Sequence, residues 1–367
     1  MWSIIIFDLT IIGAGVIGLS IGKYFSQLGN SVLIIEKESR AGEGTSSRNS
    51  GVIHAGIYYP ENSFKSRFCV EGNKMLYEYA DEKNISHSKV GKYIVASQAG
   101  ELNALEKLFQ QGIRNNVNLK YCSKEETEEA IPQIVCSSAL FSPETGIIDV
   151  PEFITALEGD IQHKNGIVSF NTEFISAKKS KNFFEISCND GTNFSIQSKT
   201  LVNASGLSSD LISYKIDQLD QRYIFPINFA KGHYFKYSAP NPFSSLVYPL
   251  ADEFSLGIHV GFDLSGQLRF GPDLTWIDSI DFSFDESLKE KFINSIHRYW
   301  PDMDPKKLHP DYVGIRPKIQ NNNEGMQDFS ILGPKEHGIE GLINLQGIES
   351  PGVTSALAIG KYVSSLL

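Results

Sequence analysis

One segment near the start constrains the fold more than any other. Residues 9–12 (Leu-Thr-Ile-Ile) form a short, β-branched apolar run that ends in Gly13-Ala14-Gly15-Val16-Ile17-Gly18, after which Leu19, Ile21, Tyr24 and Phe25 recur at helical spacing. A second apolar run, residues 31–35, closes on Glu36, eighteen residues after Gly18. The order is strand, glycine turn, helix, strand, acid. Gly13 makes the tight turn, Gly15 lets the backbone approach a pyrophosphate, and Gly18 lets the helix pack closely on the strand. Val16 and Ile17 open a helix whose N–H groups and partial positive charge suit phosphates. Glu36, followed by Lys37, stands where ribose hydroxyls need an acceptor. A glycine-rich turn alone is a common connection; four elements in this order point to a bound dinucleotide. The motif does not separate FAD from NAD.

The chain has 367 residues, and at about 150 residues per domain this suggests two domains with a sizeable core. Hydrophobic residues at 41% and charged residues at 21% exclude wholesale disorder. Lys plus Arg number 33 against 43 Asp plus Glu, a net charge of −10 with no basic run, so no nucleic-acid partner is expected. Cys69, Cys122, Cys136 and Cys188 are scattered without a CxxC pair, which argues against a zinc ribbon, a dithiol centre or a disulfide framework. No metal site is expected, and a reducing, cytoplasmic setting fits. The apolar start has no Lys or Arg before Lys23 and does not read as a signal peptide. Nothing approaches the ~20 apolar residues of a membrane span; peripheral contact with the inner face of a membrane is compatible with this composition.

Two further segments suit the second half of a long cofactor. Residues 42–59 (Gly-Glu-Gly-Thr-Ser-Ser-Arg-Asn-Ser-Gly-Val-Ile-His-Ala-Gly-Ile-Tyr-Tyr) are polar and glycine-rich where a nicotinamide domain would enter another helix. The side chains of Thr45, Ser46, Arg48, Asn49 and Ser50 can serve a pyrophosphate and a flavin ring; the alternative is a solvated loop. Residues 342–345 read as a strand, followed by Gly347-Ile348-Glu349-Ser350-Pro351-Gly352-Val353-Thr354 and a helix with Ala356, Ile359 and Val363 on one face. A helix start at Gly352, Val353 and Thr354 would stabilise negative charge near flavin N1. The same helix would also close the sheet.

These three segments resemble the FAD-dependent oxidoreductases of the D-amino-acid oxidase-like superfamily over nearly the whole chain. More narrowly, residues 47–60 (Ser-Arg-Asn-Ser-Gly-Val-Ile-His-Ala-Gly-Ile-Tyr-Tyr-Pro) and 347–352 (Gly-Ile-Glu-Ser-Pro-Gly) are similar to the L-2-hydroxyglutarate dehydrogenases and oxidases. The resemblance implies an α/β fold: a Rossmann-like FAD-binding domain of the glutathione-reductase type plus an α+β substrate domain with a mainly antiparallel sheet. It implies noncovalent FAD, oxidation of a 2-hydroxy acid, and electrons passed to a quinone or oxygen. The expected FAD domain is discontinuous, over 1–85, 143–215 and 326–367, with 86–142 and 216–325 binding substrate. The resemblance also places Ala204-Ser205-Gly206 near the cofactor, and by count Phe174 with its backbone against the adenine.

Between these segments, residues 89–97 read as a strand, 101–114 as a helix, and Ser123 with Glu126 as a capping box. A helix over 151–163, a strand over 166–170, a hairpin of 183–188 with 193–197 turning at Asn189-Asp190-Gly191, and a strand over 200–203 follow. The region 223–320 is mainly strand, at 231–235, 246–250, 256–262 and 268–271, interrupted by a helix over 286–299.

Oxidising an alcohol requires a hydride to leave carbon for flavin N5 while a base of near-neutral pKa takes the hydroxyl proton. His54, ending the second segment, is the first candidate; His233 and His259, on apolar strands, are the others. For each the alternative is a satisfied structural histidine, and the placement of His54 beside the flavin-contacting segment favours it as the base. Arg316, between Ile315 and Pro317, offers a planar fork for a carboxylate, against the alternative of a surface ion pair. Lys231 and Arg269 are candidates for a second carboxylate, and Tyr58 and Tyr248 for the pocket lining. An amine oxidase of the glycine or sarcosine type shares such features, though no Cys follows Cys188 to tether a flavin. A flavin-binding module without turnover would need neither base nor buried Arg.

Overall fold

The computed structural model describes residues 6–250 and 257–366. The chain divides into two compact units, Met1–Ser47 with Val150–Phe229 and Arg316–Leu367, and Arg48–Asp149 with Ala230–Ile315.

In the first unit β1 (Ile6–Ile12) leads through the glycine turn into α1 (Val16–Gln27) and β2 (Val32–Ile35). β1 and β2 run parallel, Leu9 opposite Val32 and Ile12 opposite Ile35. Strand Ile167–Ser169 extends the parallel sheet beyond β2. On the other side β1 pairs in parallel with strand Asn193–Asn203. That strand is continuous, where the sequence pattern suggested a hairpin arm and a separate strand. Its first half pairs antiparallel with Phe184–Asn189 and its second half parallel with Leu342–Gln346, so one long strand serves two neighbours in succession. The buried faces carry Leu9, Ile11, Leu33, Ile34, Leu201 and Val202, as two-sided cover predicts for parallel strands. Helices Val150–His163 and Gly352–Ser364 supply cover. Close approach between α1 and the C-terminal helix requires Gly360, since a Cβ there would stand 2.7 Å from the Ser20 carbonyl oxygen.

The second unit contains a mainly antiparallel sheet with a parallel pairing at its middle, where Lys92–Ala96 lies beside Leu246–Pro249. Lys92 stands opposite Leu246 on that side and opposite Ser142, in the antiparallel strand Ser138–Ser142, on the other. Phe235, Phe270, Phe292, Tyr299 and Trp300 fill the core on one face. The expected capping box forms, Ser123 Oγ accepting from the Glu126 N–H and Glu126 accepting from the Ser123 N–H. The strand expected over 256–262 is seen as Val260–Phe262, and its start at Leu256 lies outside the described residues. Among the described residues no helix is long and apolar enough to cross a membrane.

The division of the chain differs from the expected one. Residues 48–85, assigned above to the FAD domain, fall in the second unit, as do 143–149, while 216–229 and 316–325 fall in the first. The cause is long-range pairing: strand Val52–Ile53 pairs with Gly146–Ile148, and Asn73 of helix Phe64–Lys83 donates to the carbonyls of His54 and Glu144.

Candidate active site

The phosphate-binding turn is built as its glycines require. Gly13 has φ +102, and a Cβ there would lie 2.8 Å from the Ala204 carbonyl oxygen; at Gly18 a Cβ would lie 2.0 Å from the Gly13 carbonyl oxygen. Gly15 is the N-cap of α1 and has no side chain with which to cap the helix, and no acidic residue stands in the first turn. The Val16 N–H donates to Ser46 Oγ at 3.2 Å, which brings the Thr45–Ser47 turn over the helix start. Glu36, half-buried at the end of β2, accepts from the Ala14 N–H at 2.7 Å through one oxygen and from the Glu38 N–H at 2.9 Å through the other. Its carboxylate is thereby fixed beside the turn with lone pairs to spare for diol hydroxyls. Lys37 is exposed and paired with Glu38. Ala204 follows directly on β1's neighbour, its N–H bonded to the Ile12 carbonyl, and Ser205 bonds Asn203 Oδ1 through both its N–H and hydroxyl. Gly206 has φ +58, and a Cβ there would lie 4.0 Å from Thr45 Oγ1. The C-terminal helix starts at Gly352, N-capped by Pro351 with no side-chain cap, and Val353 and Thr354 form its first turn. Gly347 has φ +67, and a Cβ there would strike Ile319. Phe174 is buried in the core beside Ile35 and Cys188.

The second unit gathers a separate set of side chains. Lys92 is 1% exposed, yet its Nζ lies 4.7 Å from the Tyr58 ring centre and 4.6 Å from that of Tyr248. Tyr248 in turn stacks on His259, ring centres 3.6 Å apart and planes within 4°. Burial, with the cation of Lys92 and the imidazole of His259 adding to it, pushes the His54 imidazole down to about 3. Burial pushes Lys92 down to about 7, the Cys69 thiol nearby opposing the shift. The phenols of Tyr58 and Tyr248 and the thiol of Cys69 are driven well above their ordinary ranges by the same burial. The His54 carbonyl accepts from Asn73 Nδ2 at 2.9 Å and from Cys69 Sγ, which fixes the backbone that carries the imidazole. The arrangement is a neutral imidazole, a buried ammonium and an aromatic wall.

A model of the family described as FAD dependent oxidoreductase matches residues 8–366. The chain belongs to this family. The flavoenzyme is 37% identical, over 98% of its own chain and 83% of the relative, to the mitochondrial L-2-hydroxyglutarate dehydrogenase of Arabidopsis thaliana. It is 31% identical to the glycerol 3-phosphate dehydrogenase of Caloramator mitchellensis, over 98% of the chain and 74% of that protein. Its fold is that of the FAD-bound L-alpha-glycerophosphate oxidase from Mycoplasma pneumoniae, with a TM-score of 0.87, 25% identity, and 99% and 95% of the two chains covered. The cofactor is FAD, and the glycine-cleared start of α1 with the fixed Glu36 carboxylate has the donors and acceptor that its diphosphate and ribose require.

Of the side chains selected from sequence for chemistry, His54, Tyr58, Tyr248 and His259 come together, and three others do not join them. His233 is buried against Asp273, its Nδ1 2.9 Å from Oδ1, with Phe284 edge-on to the ring. Its carboxylate partner and aromatic cover fix the ring, and it shares none of the contacts that gather His259, Tyr248, Tyr58 and Lys92. Lys231 is paired with Asp281 at 2.9 Å. Arg269 donates through Nε to Asp311 and through Nη1 to Asp263, both at 2.7 Å. Both cations already face carboxylates of the chain, with which a substrate carboxylate would have to compete. Arg316 is half-buried on strand Leu308–Lys318 of the flavoenzyme. Arg48 packs its guanidinium over Phe282 and donates to the Val313 carbonyl, Asn49 Oδ1 accepts from the Gly51 N–H, and Ser50 is exposed.

Sequence reasoning missed Lys92. A signal was present: period-2 alternation puts it in phase with Ile94 and Ala96, which are wholly buried, so a lysine sits at an inward strand position. It also missed the buried ion pair of Lys318 with Glu349, which ties strand Leu308–Lys318 to the turn ahead of the C-terminal helix.

Proposed function

We propose that the flavoenzyme oxidises a 2-hydroxy acid, with L-2-hydroxyglutarate the first candidate and 2-oxoglutarate its product. The observation that carries this reading is the cluster in which Lys92 lies against the rings of Tyr58 and Tyr248, with His259 stacked on Tyr248 and the His54 backbone fixed by Asn73 and Cys69; burial holds the His54 imidazole below the near-neutral value expected of a base, so it is neutral and able to accept a proton. An alcohol must lose its hydroxyl proton as its C–H bond is broken, so it needs a base; an amine in its free-base form does not. Bound FAD supplies a two-electron acceptor. His54 takes the hydroxyl proton, Tyr58 and Tyr248 wall the substrate from water, and Arg316 holds a carboxylate through its planar fork. The likeness to L-2-hydroxyglutarate dehydrogenase supports the choice of acid, and the electrons are then passed to a quinone or oxygen. The α1 turn and the Thr45–Ser47 segment would hold FAD noncovalently, so it is expected intact in the supernatant after denaturation.

The test is anaerobic mixing of the yellow holoenzyme with L-2-hydroxyglutarate, glycine, sarcosine and glycerol 3-phosphate. Bleaching by the first alone is expected. Bleaching by glycine or sarcosine alone would replace this reading with an amine oxidase, and bleaching by glycerol 3-phosphate alone with a phosphate-bearing alcohol.

Arg316→Ala is expected to weaken substrate binding by about 2–4 kcal/mol, the cost of a desolvated, charge-assisted bidentate contact, against under ~1 kcal/mol for an exposed ion pair. Arg316→Lys keeps the charge without the fork and recovers only part of the loss. Unchanged half-saturating concentrations in both variants would remove Arg316 from the site.

A further inference from the structure

Lys92 carries a charge in a place that makes little sense for stability alone. Its side chain is 1% exposed, and among the described residues no carboxylate or hydrogen-bond acceptor reaches its Nζ; Tyr58 and Tyr248 offer only their ring faces. Other buried lysines have polar partners: Lys318 has Glu349, Lys231 has Asp281 and Lys23 has Gln27. An ammonium removed from water without a counter-charge is costly, and ring faces compensate it only in part. Such a group is stabilised when an anion enters and pairs with it. The groups facing Lys92 come from several elements: His54 and Tyr58 from the segment 52–59, Cys69 from helix Phe64–Lys83, and Tyr248 from strand Leu246–Pro249 with His259 stacked behind it. None is an anion at neutral pH.

We propose that Lys92 is the ammonium that pairs with the substrate carboxylate adjoining the reacting carbon. This rests on the reading of His54 as the base: Lys92 Nζ lies 4.7 Å from the ring centre of Tyr58, four residues on from His54, and 4.6 Å from that of Tyr248, so an acid whose carbinol is at His54 would have its adjoining carboxylate towards this ammonium. The pairing has a second consequence. A carboxylate on Lys92 cancels the positive field acting on His54, so arrival of the substrate makes the imidazole a stronger base. Lys92 therefore binds the acid and makes proton removal depend on its presence.

The test uses the holoenzyme, with 2-oxoglutarate titrated by the change in flavin absorbance and L-2-hydroxyglutarate followed by flavin reduction. Lys92 is charged below about 7, so wild-type binding of 2-oxoglutarate is expected to be constant at lower pH and to weaken about tenfold per pH unit well above it. In Lys92→Met the affinity at pH 6 is expected to fall by about 100-fold and the pH dependence to vanish. The amide of L-2-hydroxyglutarate at C1 should lose in wild type what the acid loses in the variant, with no further loss when both changes are combined, while the C5 amide should feel the full effect of Lys92→Met.

Thermal stability provides a readout independent of turnover. Between about 7 and its ordinary value of 10.5, Lys92 binds fewer protons in the folded state than in the unfolded state. Stability attributable to this group is therefore lowest below pH 7 and rises with pH through that window. Lys92→Met should melt higher than wild type at pH 6, and the gap should narrow towards pH 10. Lys92→Gln, which keeps a polar tip, should lose the anion in the same way. If both variants bind 2-oxoglutarate as wild type does, with the same pH dependence, Lys92 is a structural residue and the inference fails. A wild type that shows the Lys92-dependent binding but is not bleached by L-2-hydroxyglutarate keeps the anion site and overturns only the proposed substrate.

Discussion

His54→Gln is expected to retain FAD and to reduce it at least ~100-fold more slowly with the 2-hydroxy acid, the scale on which a positioned general base contributes. The substitution isolates the base because the backbone around it is fixed independently, the His54 carbonyl being held by Asn73 and Cys69 rather than by its own side chain. The pH profile sharpens the expectation. With its imidazole pushed down to about 3 by burial and by Lys92, free-enzyme His54 is already neutral throughout the ordinary assay range. Protonation on the acid side would inactivate it only near that value. Wild-type kcat/KM should therefore show no acid limb between pH 5 and 7, although an unperturbed histidine would give one near 6.5. The fall should come on the alkaline side, where Lys92 loses its proton above about 7. Wild-type reduction rates in His54→Gln, or an acid limb near 6.5 abolished by it, would contradict this assignment.

Gly18→Val is expected to yield a protein that holds less than about a tenth of its FAD. A Cβ at this position stands 2.0 Å from the Gly13 carbonyl oxygen, a backbone atom that cannot swing aside as a side-chain tip can. Either the turn opens or α1 moves off the sheet, and both spoil the N–H groups presented to the diphosphate. Gly44→Ala is the control, because a Cβ there meets nothing within 4 Å, and its flavin content should match wild type. The ratio of flavin to protein absorbance after gel filtration reads the difference. Full flavin in Gly18→Val would mean that the turn tolerates what its geometry forbids.

The nucleotide-binding half was legible in the sequence because its signals are local. The glycine turn, α1, β2 and Glu36 lie within a few dozen residues, and each conformational demand falls on the residue that shows it. The substrate half is assembled from distant pieces. Lys92 meets Tyr58 and Tyr248 across separations that no periodicity reports, so an unpaired buried cation looked like one lysine in an ordinary strand. The partners of Lys231 and Arg269 were hidden in part for the same reason, Asp281 and Asp311 lying some 40 to 50 residues away in the chain, although Asp263 is only six residues from Arg269. The grouping of 48–85 with the second unit likewise depends on the pairing of Val52–Ile53 with a strand near residue 147. Strand Asn193–Asn203 was read as two because its outer neighbour changes part-way along, which only the assembled sheet shows.

The central claim, that this FAD-dependent oxidoreductase takes a hydride and a proton from a 2-hydroxy acid, is tested most directly by an anaerobic single turnover in which bleached flavin and released product are counted together. With L-2-hydroxyglutarate in excess, one 2-oxoglutarate is expected for each FAD reduced, and deuterium at C2 should slow the bleaching. Flavin that stays oxidised with this acid and is bleached instead by glycine, sarcosine or glycerol 3-phosphate would contradict the account.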